Sequence, residues 1–262
     1  MSPSLSRDAA RFREWQLDAL NARPAAAELK AVGPFRLVIP SAPDEEPWVT
    51  LTEPETTRAE LEKAAREIRS ILARPKHWEI EYNEAVLPHI EPWLVACGFE
   101  LKERNPLMAC RPQSFRPFAA PNVELTRLDA SSRRSELEAF QHIRWTDGGE
   151  HDRPVPPVAR LQAQLSDAGS VFLLAWIDKE PAGTGVSHPL ERAAEIVGVV
   201  TRTDRRRRGV AATITSELVG RHFASGGDFV FLDASGEDAA RVYERLGFTR
   251  FGANLVFSHG GQ

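Results

Sequence analysis

The residues best placed to do chemistry are Thr201-Arg-Thr-Asp-Arg-Arg-Arg-Arg-Gly-Val-Ala-Ala212, between an apolar run that reads as a strand and a periodic run that reads as a helix. A strand that enters a helix through a glycine-containing turn points successive backbone N–H groups at one spot, and the helix dipole adds to their pull on an anion. Arg206, Arg207 and Arg208 add charge that suits a pyrophosphate. Gly209 has no side chain to hold the ligand away, and Ala211 keeps the first turn small. The segment lacks the Gly-Lys-Ser/Thr ending of a Walker loop and the glycine spacing of a dinucleotide fingerprint. The competing reading is a solvated arginine cluster that caps a helix or touches nucleic acid. An arginine run at a helix N-terminus opposes the dipole, which costs stability unless something anionic sits there. Nucleic acid is disfavoured by 33 Lys+Arg against 37 Asp+Glu and by the lack of aromatic residues interleaved with the arginines.

Other candidates carry less. Glu150, His151 and Asp152 cluster in a loop but lack metal-ligand spacing, while His142 and His188 are isolated. With only Cys97 and Cys110, a disulfide framework and a Cys-rich zinc site are excluded, and no metal is expected. Tyr243 is one of two tyrosines; it either handles a proton or packs one face of the last helix.

Arg206-Arg-Arg-Gly-Val-Ala211 resembles the Arg/Gln-x-x-Gly-x-Gly/Ala signature of the GCN5-related N-acetyltransferases, the GNAT superfamily. Tyr243-Glu-Arg-Leu-Gly-Phe248 is similar to the family's Tyr-x-x-x-Gly-Phe segment at its expected distance. The resemblance covers residues 122–262 and implies acetyl-CoA as co-substrate. It implies that backbone N–H groups of Arg207, Arg208, Gly209, Val210 and Ala211, with the Arg206 side chain, hold the pyrophosphate. The edge at Val199, Val200 and Thr201 would bond the pantetheine arm, with one amide polarising the thioester. Direct attack by an amine needs an acid for the leaving thiolate and a base for the ammonium. By family position Tyr243 is the acid, and Glu195, at the start of the strand leading to the loop, is the candidate base. The asparagine that the family often places after the next strand is missing, which leaves the contacts of the cofactor's lower arm open. The implied function is N-acetyl transfer to a small-molecule or peptide amine. A catalytically silent acetyl-CoA-binding sensor or scaffold is the alternative.

These residues must be positioned by a mixed α/β sheet. Strands are expected at 122–128, 171–177, 182–188, 195–201, 229–233 and 254–258, with helices at 132–145, 158–168, 210–224 and 237–246. Gly198 inside its strand signals a bulge or a close backbone approach. The first half reads as a weaker copy: strands 35–39, 48–51, 77–82 and 101–110, helices 57–72 and 84–96, with Trp93-Leu-Val-Ala-Cys-Gly-Phe99 echoing Tyr243–Phe248. In that copy Thr50–Thr57 stands where the arginine loop stands and is acidic, and Leu94 takes the place of Tyr243. A degenerate GNAT-like or accessory domain is therefore expected over 1–115 and the acetyltransferase domain over 116–262. The boundary falls in the proline-rich stretch Arg111–Pro121, which reads as an extended linker.

The length of 262 residues suits one large or two modest domains. The longest apolar run, Val171–Ile177, is far short of the ~18 residues of a membrane span. With no apolar signal segment near Met1 and a net charge of -4, the expectation is a cytoplasmic chain without a membrane partner.

Overall fold

A computed structural model describes residues 6–21, 27–41, 47–72, 78–148, 155–166 and 169–259. Contacts divide the chain into two units. One runs to Leu107 and also takes Asp233–Gly236 and everything from Arg250 on. The other holds Met108–Leu232 and Glu237–Thr249. Where the sequence places a single boundary at 115/116, the units lend each other pieces of chain.

The first unit contains α1 (Arg7–Asn21), β1 (Ala27–Val32), β2 (Phe35–Pro40), β3 (Trp48–Leu51), α2 (Arg58–Ile71), β4 (Glu79–Asn83), α3 (Glu91–Ala96) and β5 (Phe99–Cys110) as far as Leu107. Its strands lie in the order β1-β2-β3-β4, then the chain's last strand (Thr249–His259), then β5. β1, β2 and β3 form an antiparallel meander. β4 is parallel to β3, so α2 serves as the crossover that a parallel pair requires. Leu61, Ala64, Ala65 and Ile68 bury one face of α2 at helical spacing.

This unit departs from the sequence reading in two places. α1 and β1 are absent from that reading; Ala9, Phe12 and Leu20 give α1 a narrow apolar face, and Gln16 completes it by donating to Thr50 Oγ1 at 2.9 Å. The helix expected at 84–96 is only Glu91–Ala96. Pro88 and the turn in which Asn83 Oδ1 accepts from Ala85 N (2.8 Å) keep the preceding residues out of helix.

The second unit contains β6 (Glu124–Leu128), α4 (Arg134–His142), a π-helical turn (Ile143–Asp147), α5 (Val158–Leu165), β7 (Val171–Ile177), β8 (Glu180–Leu190), β9 (Ala193–Thr201), a 3-10 turn (Thr203–Arg205), α6 (Val210–Ala224), β10 (Phe229–Asp233) as far as Leu232, and α7 (Glu237–Arg245). The last strand, β11 (Thr249–His259), leaves this unit after Thr249 and pairs antiparallel with β4. The sheet order is β6-β7-β8-β9-β10. The first four strands form an antiparallel meander and β10 is parallel to β9 across α6. Leu128, Leu137, Phe140, Ile143, Leu161, Phe172, Leu174 and Val186 form the core under α4 and α5. The sequence β9–α6–β10 thus repeats the topology of β3–α2–β4.

Candidate functional site

The site starts where two strands part. β10 pairs with β9 at three positions, Phe229↔Ala193, Val230↔Ala194 and Phe231↔Glu195, while β9 runs on to Thr201. Beyond Glu195, among the described residues, no strand pairs with its β10-facing edge. The β8 side stays paired but slips: Val186 faces Val197 and Thr184 faces Val200, so Gly185 stands opposite two residues. Gly198 takes the extra step at φ +58°, a conformation costly for a side chain, and Thr184 Oγ1 donates to its carbonyl at 3.1 Å. Gly198 is thus a bulge, one of the two readings its sequence allowed. Val199, Val200 and Thr201 are half-buried, and an open edge offers its N–H and C=O groups to an extended ligand.

β9 leads into the arginine segment. Arg202 N–H donates to Ala182 O at 3.0 Å, and its guanidinium reaches Pro181 O at 2.8 Å and Asp204 at 3.1 Å. Asp147 Oδ1 accepts from Thr203 N (2.8 Å) and Thr203 Oγ1 (2.9 Å), which ties the π-helical turn to this loop. Arg207 (φ +61°) and Gly209 (φ +82°) both take left-handed backbone. The Arg208 guanidinium lies 3.6 Å from Asp178, and Arg206 Nε lies 3.5 Å from Thr201 O. Among the described residues Arg206 and Arg207 have no carboxylate partner, and all three arginines are exposed.

The helix after this loop begins uncapped. Gly209 is its N-cap residue with no side-chain hydrogen bond, and the first turn has no acid. The first intrahelical donor is Thr213 N, to Gly209 O at 2.9 Å, so the N–H groups of Val210, Ala211 and Ala212 lack a helical acceptor. A Cβ on Gly209 would meet Ala120 Cβ at 2.9 Å and Phe118 at 3.2 Å, so close packing and backbone angle both demand glycine. The proline-rich segment is bound along α6 here: Phe118 N donates to Ser216 Oγ at 2.8 Å and Ala120 N to Thr213 Oγ1 at 2.9 Å.

Tyr243 lies on α7, 6% exposed, its ring 5.9 Å from that of Phe248. Burial pushes its phenol up to about 12, and among the described residues nothing accepts from its hydroxyl. Glu195 is half-buried at the last β9–β10 rung, opposite His188 on β8 and Phe231 on β10. His188 Nδ1 lies 2.9 Å from Ser170 Oγ and His142 Nδ1 3.4 Å from Thr146 Oγ1, both local contacts. Glu150, His151 and Asp152 lie outside the described residues. Among the described residues no group of three or more His, Cys, Asp or Glu side chains is placed to hold a metal, and no helix is long and apolar enough to cross a membrane.

Residues 137–248 match the model of the acetyltransferase (GNAT) family. They form a GNAT domain. The whole fold has relatives among solved structures. A GCN5-related N-acetyltransferase from Kribbella flavida superposes with a TM-score of 0.76 at 22% identity, covering 97% of this chain and 96% of that one. A GNAT-family protein from Novosphingobium aromaticivorans gives 0.54 at 20% identity over 88% and 91%. A tandem GNAT protein from the clavulanic acid biosynthesis pathway gives 0.60 at 13% identity over 94% and 88%. No curated protein sequence matches the chain. The GNAT domain spans α4 to Phe248 and includes the strand fork, the arginine loop and Tyr243.

Proposed function

We propose that the protein is an N-acetyltransferase that moves an acetyl group from acetyl-CoA to the amine of a small-molecule or peptide acceptor, by direct attack in a ternary complex. One observation carries this reading: the uncapped N-terminus of α6, flanked by Arg206–Arg208, continues from a strand whose edge is open. The residues fit a pyrophosphate, because orphaned N–H groups, a side-chain-free N-cap and two arginines, Arg206 and Arg207, without a carboxylate partner among the described residues are what an anion needs. Backbone N–H groups from Arg207 to Ala211 and the Arg206 side chain hold it. Along Val199, Val200 and Thr201, the N–H groups that point away from β8 bond an extended arm, and one of them polarises the oxygen on which charge develops.

Acetyl-CoA supplies the thioester. The chain supplies the proton traffic. Tyr243, whose burial holds it protonated throughout the neutral range, donates to the leaving sulfur. Glu195, at the fork, receives the ammonium proton through water. It lies three residue steps from Gly198, a rise of about 10 Å, which is why a water belongs in the relay. The first unit is a degenerate copy that binds no acetyl-CoA. No metal takes part, the cytoplasm is the proposed compartment, and neither nucleic acid nor a membrane is a proposed partner.

The test couples calorimetric titration with acetyl-CoA to a free-thiol assay over a panel of amines. One site and amine-dependent CoA release are expected. Binding without release for any amine would favour the silent sensor.

A further inference from the structure

Arg144 is a side chain for which the proposed chemistry has no use. It is the second residue of the π-helical turn, an element that inserts a residue into a helix and re-aims the side chains after it. Its Nε, Cζ and Cδ lie 3.1, 3.3 and 3.6 Å from the point where a Cβ on Gly198 would stand. The bulge glycine therefore leaves room for a guanidinium laid against β9. Among the described residues no carboxylate pairs with it and no acceptor takes its N–H groups. Burial pulls its pKa down, and the nearby Arg160 pulls it down further. The acid nearest in sequence, Asp147, is already engaged by Thr203. A half-buried guanidinium with a second cation near it and, among the described residues, no anion is costly, and a planar fork of donors suits a carboxylate.

The position narrows the ligand. Gly198 immediately precedes Val199–Thr201, so an anion on Arg144 stands within about 3–10 Å, one to three strand residues, of the amides proposed to polarise the thioester. The pyrophosphate loop lies further along the chain. We propose that Arg144 is a specificity-determining residue that binds the carboxylate of the acceptor, which makes the acceptor a small amino carboxylate: a free amino acid or a short ω-amino acid. This inference rests on the transferase reading above. The amine and carboxylate must be a few bonds apart, which excludes long polyamines and protein lysines as preferred substrates.

The test uses the full-length chain. Thermal melting is followed in the presence of desulfo-CoA with the common L-amino acids, β-alanine and 4-aminobutyrate at millimolar concentration. Each is compared with its amide or its decarboxylated amine, and aminomethylphosphonate tests whether another anion substitutes. At least one amino carboxylate should raise the melting temperature while its amide does not. Arg144→Gln should abolish that shift and weaken binding roughly 30-fold or more, and Arg144→Lys should restore part of it. With acetyl-CoA the Gln variant should raise the acceptor KM far more than it lowers kcat. The proposal is overturned if no amino carboxylate shifts the wild-type melt, if amides shift it equally, or if Arg144→Gln weakens desulfo-CoA binding, which would assign Arg144 to the donor. An amino-carboxylate shift without desulfo-CoA binding would instead overturn the donor site and leave Arg144's ligand standing.

Discussion

At the start of α2, Thr57 Oγ1 accepts from Glu60 N at 3.3 Å, and Thr57 N–H donates to Glu60 Oε2 at 2.9 Å. The Thr57 hydroxyl, which donates to Glu60 Oε2 at 2.7 Å, and the Thr57 N–H together hold the Glu60 carboxyl below its ordinary range. At the start of α6 the corresponding place belongs to Gly209, with no side-chain cap, no acid in the first turn and arginines on its approach. Both turns join a meander strand to a helix and then to a parallel strand. In the first, the helix N-terminus is satisfied from within by a capping box; in the second, its N–H groups remain for something external. In the proposed function, binding capacity depends on leaving a helix start unfinished. Closing it with a side chain makes the same topology purely structural.

The comparison breaks most severely if α6 is given what α2 has. Ala211→Glu supplies an internal anion to the free N–H groups. It should weaken acetyl-CoA binding on the order of 100-fold or more while the melting temperature stays level or rises. Calorimetry and a thermal melt read both. Next comes Tyr243→Phe, which keeps the packing against Phe248 and removes the proton. Turnover should fall about 100-fold with acetyl-CoA affinity unchanged; unchanged turnover removes Tyr243 from the chemistry.

The converse change is smaller. Thr57→Ala should cost about 1 kcal/mol of stability in chemical denaturation, the usual worth of an N-cap. It should leave acetyl-CoA binding as it was, because the proposed site lies at the start of α6 and not of α2.

The smallest effect concerns the first unit's carboxylates. Solvent touches Asp233, yet the protein around it strips much of its hydration and, with Glu81 and Glu103 close, pushes it up to about 7 against one hydrogen bond from Asn254. Burial likewise raises Glu81. In the folded chain Asp233 holds its proton to about pH 7, whereas unfolded it loses it near 4. Its contribution therefore makes stability fall as pH rises from about 4 to about 7. Asp233→Asn should flatten that slope, as denaturation midpoints across the range would show.

The elements around the arginine loop are legible in the sequence because punctuation brackets them. Gly209 and Gly226 bound α6, and β7 and β10 are short runs of buried apolar residues. α1 is hard to read because its buried face is narrow among many charges. A helix over 84–96 is too long an expectation because Pro88 and Pro92 limit how far helix can run there. No local pattern announces that β11 pairs with β4, far away in the sequence; that is a tertiary choice. The arginine loop and Tyr243 are legible as types at a spacing. The fork at Glu195 is not, since it depends on where a ladder stops. Arg144 is hidden for a related reason: an arginine at a helix end looks solvated until the structure lays it against Gly198 with no carboxylate partner among the described residues.

The most direct test of the central claim, that α6's unfinished N-terminus is an acetyl-CoA site, is a paired calorimetric titration of wild type and Ala211→Glu with acetyl-CoA. The account predicts a single micromolar site in the wild type and its loss in a variant that melts no lower. Equal affinity in the two proteins, or no binding by the wild type at millimolar ligand, would contradict it.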